Sequence, residues 1–207
     1  MKAYYYKDEV EAGVDEVARG CLAGPVYTSA VVWPKEIDPS DTNIIVKDSK
    51  QLSRRKRLIL KDYIEEYAIA FSVSSLDNTI IDDINILNAT HRCMHDSLDK
   101  LNIRLDHILV DGNRFNMYND PNNDIIPHTC IVKGDSKYIP IACASILAKV
   151  YHDEYIEKLC DGNEGLDIYD WRNNMCYGTP KHIDAIKQNG ISKYHRKTFG
   201  ICNIYGS

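Results

Sequence analysis

Acidic residues stand where three short apolar runs end. Asp15-Glu16 follows Ala12-Gly13-Val14, Asp111 follows Ile108-Leu109-Val110, and Asp135 follows Ile131-Val132-Lys133-Gly134. Short apolar runs bounded by turn residues read as buried strands, and open α/β sheets gather ligands at strand ends. Carboxylates brought together there repel one another unless cations lie between them. Hard oxygen donors select Mg²⁺ or Mn²⁺ over zinc. Two such ions about 4 Å apart can activate a water and stabilise the leaving oxygen of a phosphodiester. If the acids converge, phosphodiester hydrolysis follows. Taken singly, each acid is more readily an ordinary strand-end turn residue, since Asp-Gly is a common turn. Asp15 and Glu16 also raise a geometric question. Neighbours on a regular strand point to opposite faces, so Glu16 needs an irregular strand end or reaches a second position.

The elements that must position these acids can be read along the chain. Ala12–Val14 and Val26–Trp33 are expected strands, the second ended by Pro34. Ser53 is placed to cap a helix running to about Tyr67. A third strand is expected over Ala68–Ser74, with Ala68, Ala70, Ser72 and Ser74 on one face and Ile69, Phe71 and Val73 on the other. Asp82 or Asp83 could cap the next helix, whose apolar seam runs through Ile84, Leu87, His91, Met94, Leu98 and Leu101. His91 on that seam reads as a hydrogen-bonded core residue rather than a metal ligand. Ile108–Val110 and Thr129–Val132 are further strands. A long helix from about Pro140 to Cys160 begins with Ala142, Cys143, Ala144, Ser145 and Ala148, small enough to let its axis lie close across a sheet.

The resulting order of elements is that of an α/β domain with a mixed sheet. Residues 1–160 are expected to form the catalytic core. Residues 161–207 are expected to form a C-terminal helical segment that packs on it and contributes to substrate binding. Within that segment, Asp161–Arg172 reads as a polar turn and Pro180–Asn189 as a helix stopped by Gly190.

The chain has 207 residues, seven cysteines and a net charge of −5. The cysteines are scattered without zinc-ligand spacing and are expected to be reduced thiols in a cytoplasmic protein. No signal peptide and no membrane span are expected, since no apolar run approaches the roughly 20 residues needed. Charge is unevenly spread. Lys47, Lys50, Arg54, Arg55, Lys56, Arg57 and Lys61 are opposed only by Asp48, and Lys181, Lys187, Lys193, Arg196 and Lys197 only by Asp184. Such runs are commonly solvated helix faces. Flanking an acidic centre, they also fit a duplex-binding protein whose basic segments hold phosphates.

Six motifs, in order, resemble those of the ribonuclease HII family. They are Asp15-Glu16-Val17-Ala18-Arg19-Gly20 leading to Gly24-Pro25; Asp48-Ser49-Lys50-Gln51-Leu52-Ser53; Asp111-Gly112-Asn113-Arg114; Lys133-Gly134-Asp135-Ser136 with Ala142 to Lys149; Tyr177-Gly178-Thr179; and His195-Arg196-Lys197-Thr198-Phe199-Gly200. The resemblance implies the ribonuclease H fold, with a five-stranded mixed sheet and helices on both sides. It implies Asp15, Glu16, Asp111 and Asp135 as catalytic carboxylates holding two Mg²⁺ or Mn²⁺ ions. It also implies cleavage of RNA/DNA hybrids, and incision on the 5′ side of ribonucleotides embedded in duplex DNA to leave 3′-hydroxyl and 5′-phosphate ends. Lys50 would bind backbone phosphate, assisted by Ser145 and Lys149. The turn Ala18-Arg19-Gly20 would read the 2′-hydroxyl, and Tyr177 would stack on the next sugar. Nucleic acid is the expected partner of a monomer, and the ending Ile204-Tyr205-Gly206-Ser207 carries no sliding-clamp motif. The family pattern has Gly where Ala18 stands, and Lys-Gly where Met175-Cys176 precede Tyr177. Ala keeps its N–H donor but disfavours positive φ.

Overall fold

The computed structural model describes residues 1–37 and 52–206. Its centre is a five-stranded mixed sheet in the order β3-β2-β1-β4-β7, built from β1 (Glu11–Val17), β2 (Val26–Val32), β3 (Ala70–Leu76), β4 (His107–Asp111) and β7 (His128–Ile131). The first three strands form an antiparallel meander, while β4 and β7 run parallel to β1. A two-residue pair, β5 (Tyr118–Asn119) and β6 (Ile125–Ile126), lies outside this sheet. The sequence pattern missed it because two residues per strand carry no alternation.

Each face of the sheet has its own core. On one face lie α1 (Arg54–Tyr67) and α4 (Ile139–Asp161), with Val31, Leu60, Ile64, Ile146 and Leu147 packed together. The other face carries α3 (Ile86–Asp99), whose Met94 and Leu98 meet Ala12, Val14, Ile108 and Val110. The small residues of α4 do what their size suggests. A Cβ on Gly13 of β1 would lie only 2.3–2.6 Å from the Pro140 carbonyl group and the Ile141 nitrogen. Only a glycine lets the start of α4 cross the sheet this closely.

The expected faces of β3 hold: Phe71 and Val73 pack with the α1/α4 core, while Ser72 donates to the Ser97 carbonyl on α3. The strand begins at Ala70 rather than Ala68, which instead follows α1 in extended conformation. The expected helix start at Asp82 or Asp83 does not occur. Asp77 caps α2 (Asn78–Ile84), and Asn85 caps α3 with Oδ1 accepting from the Leu87 and Asn88 N–H groups. Asn85 sits at φ +64° and ψ 162°, a strained extended conformation outside the helical regions, and separates α2 from α3. Asp82 lies inside α2 and accepts from the backbone of Lys197 and Thr198. His91 is buried as expected, its ring edge-on to Phe115.

Asp161–Arg172 is not a polar turn. It contains the 3₁₀ turn Glu164–Tyr169 and the start of α5 (Trp171–Asn174), and it buries Leu166, Tyr169 and Trp171. These residues share a cluster with Cys21, Ala23 and Ile156, and with Ile186 of α6 (Pro180–Asn189). Gly190 at φ +76° ends α6 where the sequence places the stop. A short α7 (Gly200–Tyr205) follows. The stretch just after β1 is threaded between two C-terminal segments. Leu22 N–H donates to the Cys176 carbonyl, Arg196 N–H donates to the Leu22 carbonyl, and Gly24 N–H donates to the Tyr194 carbonyl.

All seven cysteines are free, and burial pushes the Cys21 thiol up to about 12 and those of Cys93 and Cys202 to about 11. No helix of the described residues is long and apolar enough to cross a membrane. Burial holds His91, His95, His107, His152, His182 and His195 below the usual imidazole range. These histidines bind protons less readily folded than unfolded, so folding stability falls as pH drops below about 6.5. The melting temperature is expected to be several degrees lower at pH 5 than at pH 7.5 in circular-dichroism melts. A flat profile across that window would show that the six rings titrate alike in both states.

Candidate active site

Parallel pairing of β1 and β4 sets Val14 opposite Val110, so Asp15 and Asp111 stand level on neighbouring strands. Leu109 packs against Tyr138 and Ile141 at the start of α4. Side-chain alternation therefore turns both carboxylates towards the α4 side. There a cleft of about 460 Å³ is lined by Asp15, Glu16, Val17, Arg57, Asp111, Ser145, Lys149 and Tyr177. Five of the expected site residues thus meet in one cavity with Tyr177, which comes from the far end of the chain.

Asp15 is buried, and its carboxyl is held well above the usual range. Burial is the largest cause, followed by the charges of Glu16 and Asp111; hydrogen bonds from Ser145 and the Glu16 backbone oppose them. Asp111 Oδ1 accepts from Gly134 N–H at 2.6 Å and Asp135 N–H at 3.4 Å. Asp135 is buried in the 3₁₀ turn Gly134–Ser136, beside Asp111 and not among the residues lining the cleft. β1 stays paired through Val17, so the strand end is regular. Glu16 still lines the cleft, and its Oε1 is 3.3 Å from Arg19 Nη1. Among the described residues, no three Asp, Glu, His or Cys side chains form a ready-made metal-holding group. The donor set nonetheless fits a hard divalent cation: Asp15 lines the cleft with Glu16 and Asp111, and after burial itself their charges raise its carboxyl, a repulsion a cation relieves.

The basic residues are arranged differently from the sequence expectation. Arg54 pairs with Glu157, and Lys61 with Glu154 at 3.0 Å, so part of the first basic run ties α1 to α4. Arg57 lines the cleft, donating to the Leu52 carbonyl and lying 3.6 Å from Asp153. Lys149 donates to the same Asp153 at 2.8 Å. Asp153 therefore gathers two cations at the cleft. The sequence marked Arg57 only as one charge in a run; its place one turn into a helix packed on α4 gave no further signal. Lys50 lies outside the described residues. Arg196, counted above among phosphate-holding residues, is fully buried, and its guanidinium donates to the Gly24 and Arg19 carbonyls. It braces the Ala18-Arg19-Gly20 turn from below and cannot reach a phosphate in solvent.

That turn closes with Cys21 N–H donating to the Ala18 carbonyl, leaving Arg19 and Gly20 exposed and Ala18 buried. Ala18 sits at φ +71°, and Met175 and Cys176 at +47° and +66°. All three positions where this chain departs from the family pattern are thus left-handed, two of them where the family has glycine. At 176, packing and two bonds hold the conformation: Cys176 N–H donates to Asn174 Oδ1, and its carbonyl accepts from Leu22. For Ala18→Gly the terms nearly cancel. Relief of the left-handed strain is worth about 1–2 kcal/mol. Glycine's extra chain entropy costs about 0.5–1 kcal/mol, and the lost buried methyl about 0.8 kcal/mol. Urea unfolding of Ala18→Gly is expected to stay within about 1 kcal/mol of the parent, with selectivity for a ribonucleotide kept or sharpened. A clear loss of cleavage would mean that the turn is built around the methyl group.

Tyr177 is 38% exposed. Its hydroxyl lies against the Ala18 backbone and the Cys21 thiol; burial and Cys21 push the phenol up, and the hydrogen bond with the Ala18 backbone opposes them. Lys149 Nζ is 5.8 Å from its ring centre.

A mixed sheet in this strand order, with carboxylates at the ends of its parallel central strands beneath a helix crossing its face, defines the ribonuclease H fold. The archaeal ribonuclease H2 of Pyrococcus horikoshii superposes with a TM-score of 0.73 at 25% identity, covering 94% of this chain and 96% of that one. The Mn²⁺ complex of Bst ribonuclease HIII shares the fold at 19% identity, with a TM-score of 0.68 over 94% of this chain and 68% of that one. In sequence, the family profile of Ribonuclease HII matches residues 12–202. The ribonuclease HII of Bacteroides thetaiotaomicron is 47% identical over 198 residues, 96% of this chain and 93% of that protein. The chain belongs to the ribonuclease HII family. It is a ribonuclease H, of the metal-dependent endonucleases that hydrolyse the RNA strand of RNA/DNA hybrids.

Proposed function

We propose that this enzyme also incises on the 5′ side of single ribonucleotides embedded in duplex DNA, leaving 3′-hydroxyl and 5′-phosphate ends. The observation that carries the proposal is the shared cleft: Asp15, Glu16, Asp111, Lys149 and Tyr177 line it together, with the Ala18 turn against the Tyr177 hydroxyl. A cutting site and a reader of the next sugar can then act on one nucleotide step.

Asp15, Glu16, Asp111 and Asp135 would hold two Mg²⁺ or Mn²⁺ ions, which when bound supply an activated water and neutralise charge at the leaving oxygen. Lys149 and Arg57, fixed by Asp153, attract the flanking phosphates. Lys50 adds a backbone-phosphate contact from the second motif, and Ser145 orients Asp15 by hydrogen bonding. The exposed Arg19-Gly20 backbone, with Ala18, offers groups to the 2′-hydroxyl, the atom that separates RNA from DNA at one position. Residues 161–207 form a C-terminal segment that packs on a catalytic core spanning residues 1–160 and contributes to substrate binding.

The test is a gel assay on a duplex with one embedded ribonucleotide beside an all-RNA/DNA hybrid, each with Mg²⁺ and with Mn²⁺. Cleavage of both is expected, with the single-ribonucleotide cut mapping to its 5′ side. A requirement for a run of ribonucleotides would refute the proposal.

A further inference from the structure

The buried side chains behind Tyr177 form a hydrogen-bonded chain whose direction is fixed. Ser192 N–H donates to His195 Nδ1 at 2.9 Å, so that nitrogen is an acceptor and the ring proton sits on Nε2. His195 Nε2 is 3.0 Å from His182 Nε2. Trp171 Nε1, which can only donate, also gives its proton to His182 Nε2 at 3.0 Å. The His182 proton therefore resides on Nδ1, which stands 2.9 Å from the Tyr177 carbonyl oxygen. Thr179 N–H donates to the same oxygen at 2.9 Å, so both lone pairs of that carbonyl are engaged. Both histidines are fully buried; burial lowers His182, and burial with the His182 neighbour lowers His195 to about 3, in keeping with the one ring proton each that the acceptor nitrogens require.

From this geometry we infer that His182 and His195 are positioning residues for ribonucleotide recognition, a Ser192–His195–His182 relay that locks the Tyr177 backbone and so the placement of its ring. The inference rests on the reading of Tyr177 proposed above. It reaches beyond that reading in assigning a task to two residues that touch neither substrate nor metal. The relay also joins the two segments that embrace the stretch after β1: Cys21 bridges to Tyr177, and Ala23 bridges to His195. Any slip of one segment against the other would break a bond in the relay and move the tyrosine against the Ala18 turn.

His182→Leu removes the donor, whereas His182→Asn keeps an N–H donor at nearly the Nδ1 position. With His182→Leu, single-ribonucleotide cleavage is expected to fall about fivefold more than long-hybrid cleavage, the effect of one lost buried hydrogen bond. His182→Asn should restore most of that ratio. In a Tyr177→Ala background, His182→Leu should leave the ratio unchanged. Equal losses on both substrates, no rescue by Asn, or a full effect without Tyr177 would each overturn the relay. Nitrogen-15 spectra of the histidine-labelled parent enzyme provide a second test, independent of folding of the variants. The expected tautomers are Nδ1–H for His182 and Nε2–H for His195; the opposite pair would refute the relay whatever Tyr177 does. If Tyr177→Ala depresses both substrates equally, the junction reading fails instead. The relay is then decided by those spectra and by whether the Tyr177 ring resonances move in His182→Leu but not in His182→Asn.

Discussion

Replacing Asp15 or Asp111 by Asn is expected to abolish cleavage, by about 10³-fold or more, while leaving the fold intact. The size follows from removing a charged cation ligand, since metal stabilisation of the transition state is worth several kcal/mol. Asn is the informative substitution because it spares the local structure. Asp111 Oδ1 accepts from Gly134 N–H, and an amide oxygen can still accept there. The same variant should be more stable than the parent when divalent cations are chelated. Asp15 is buried beside Glu16 and Asp111, which together with burial raise its carboxyl well above the unfolded value. A raised acid binds its proton more tightly in the folded state, so stability is lost as pH rises above about 4 and the loss persists at pH 7–8. Asp15→Asn removes that loss, raising the metal-free melting temperature by about 2–4 °C for each kcal/mol relieved. In the parent, added Mg²⁺ or Mn²⁺ should restore stability by mass action, and in the variant it should do so far less. Near-normal cleavage in either variant, or an equal thermal shift with cation in parent and Asp15→Asn, would refute the metal-site assignment.

Much of this site could be read from the chain because its acids fall at the ends of strands, and strand ends are visible as apolar runs that stop. The level placement of Asp15 and Asp111 then needs only parallel pairing in register. Other features were invisible for definite reasons. The sign of φ leaves no mark in residue type at Met175, nor at Ala18 and Cys176 once glycine is replaced, because surrounding packing and hydrogen bonds hold the strain. Arg196 reads as a surface cation, since nothing in a basic run foretells that two carbonyls from residues 19 and 24 will serve as its buried partners. Likewise, α2 leaves no seam of its own in the sequence and the cap of α3 is placed too early, because Asn85, an unremarkable polar residue, makes the break between the two helices. His182 and His195 are separated by 13 residues and by a turn, and only the fold brings their rings to 3.0 Å.

These buried features also bear on what Tyr177 can do. An exposed tyrosine on a mobile turn would stack on whatever it met. Here its carbonyl is doubly bonded, its neighbour Cys176 is packed in the core, and its hydroxyl lies against the Ala18 backbone. The ring is thus held at a set distance from the turn proposed to read the 2′-hydroxyl. A deoxyribose at the next position lets the ring approach, whereas a ribose adds a hydroxyl that crowds it.

Tyr177→Ala should therefore cost far more activity on a single embedded ribonucleotide than on a long hybrid. Stacking of an aromatic ring on a nucleotide is worth about 1–3 kcal/mol, and loss of most of it reduces the rate roughly tenfold or more. On a long hybrid every sugar carries a 2′-hydroxyl, so the ring contributes little at any step and its removal changes little. Tyr177→Phe separates stacking from hydrogen bonding. It keeps the ring, and Lys149 beside it, but gives up the hydroxyl contact with Ala18 and Cys21. It should retain most selectivity, with a modest loss on both substrates if the turn shifts. Initial rates on the two substrates, measured at one salt concentration because phosphate contacts are salt-dependent, give the ratio directly. An equal fall on both substrates in Tyr177→Ala would make the residue structural, a wedge between the Ala18 turn and α6, and junction recognition would then have to lie elsewhere in the cleft.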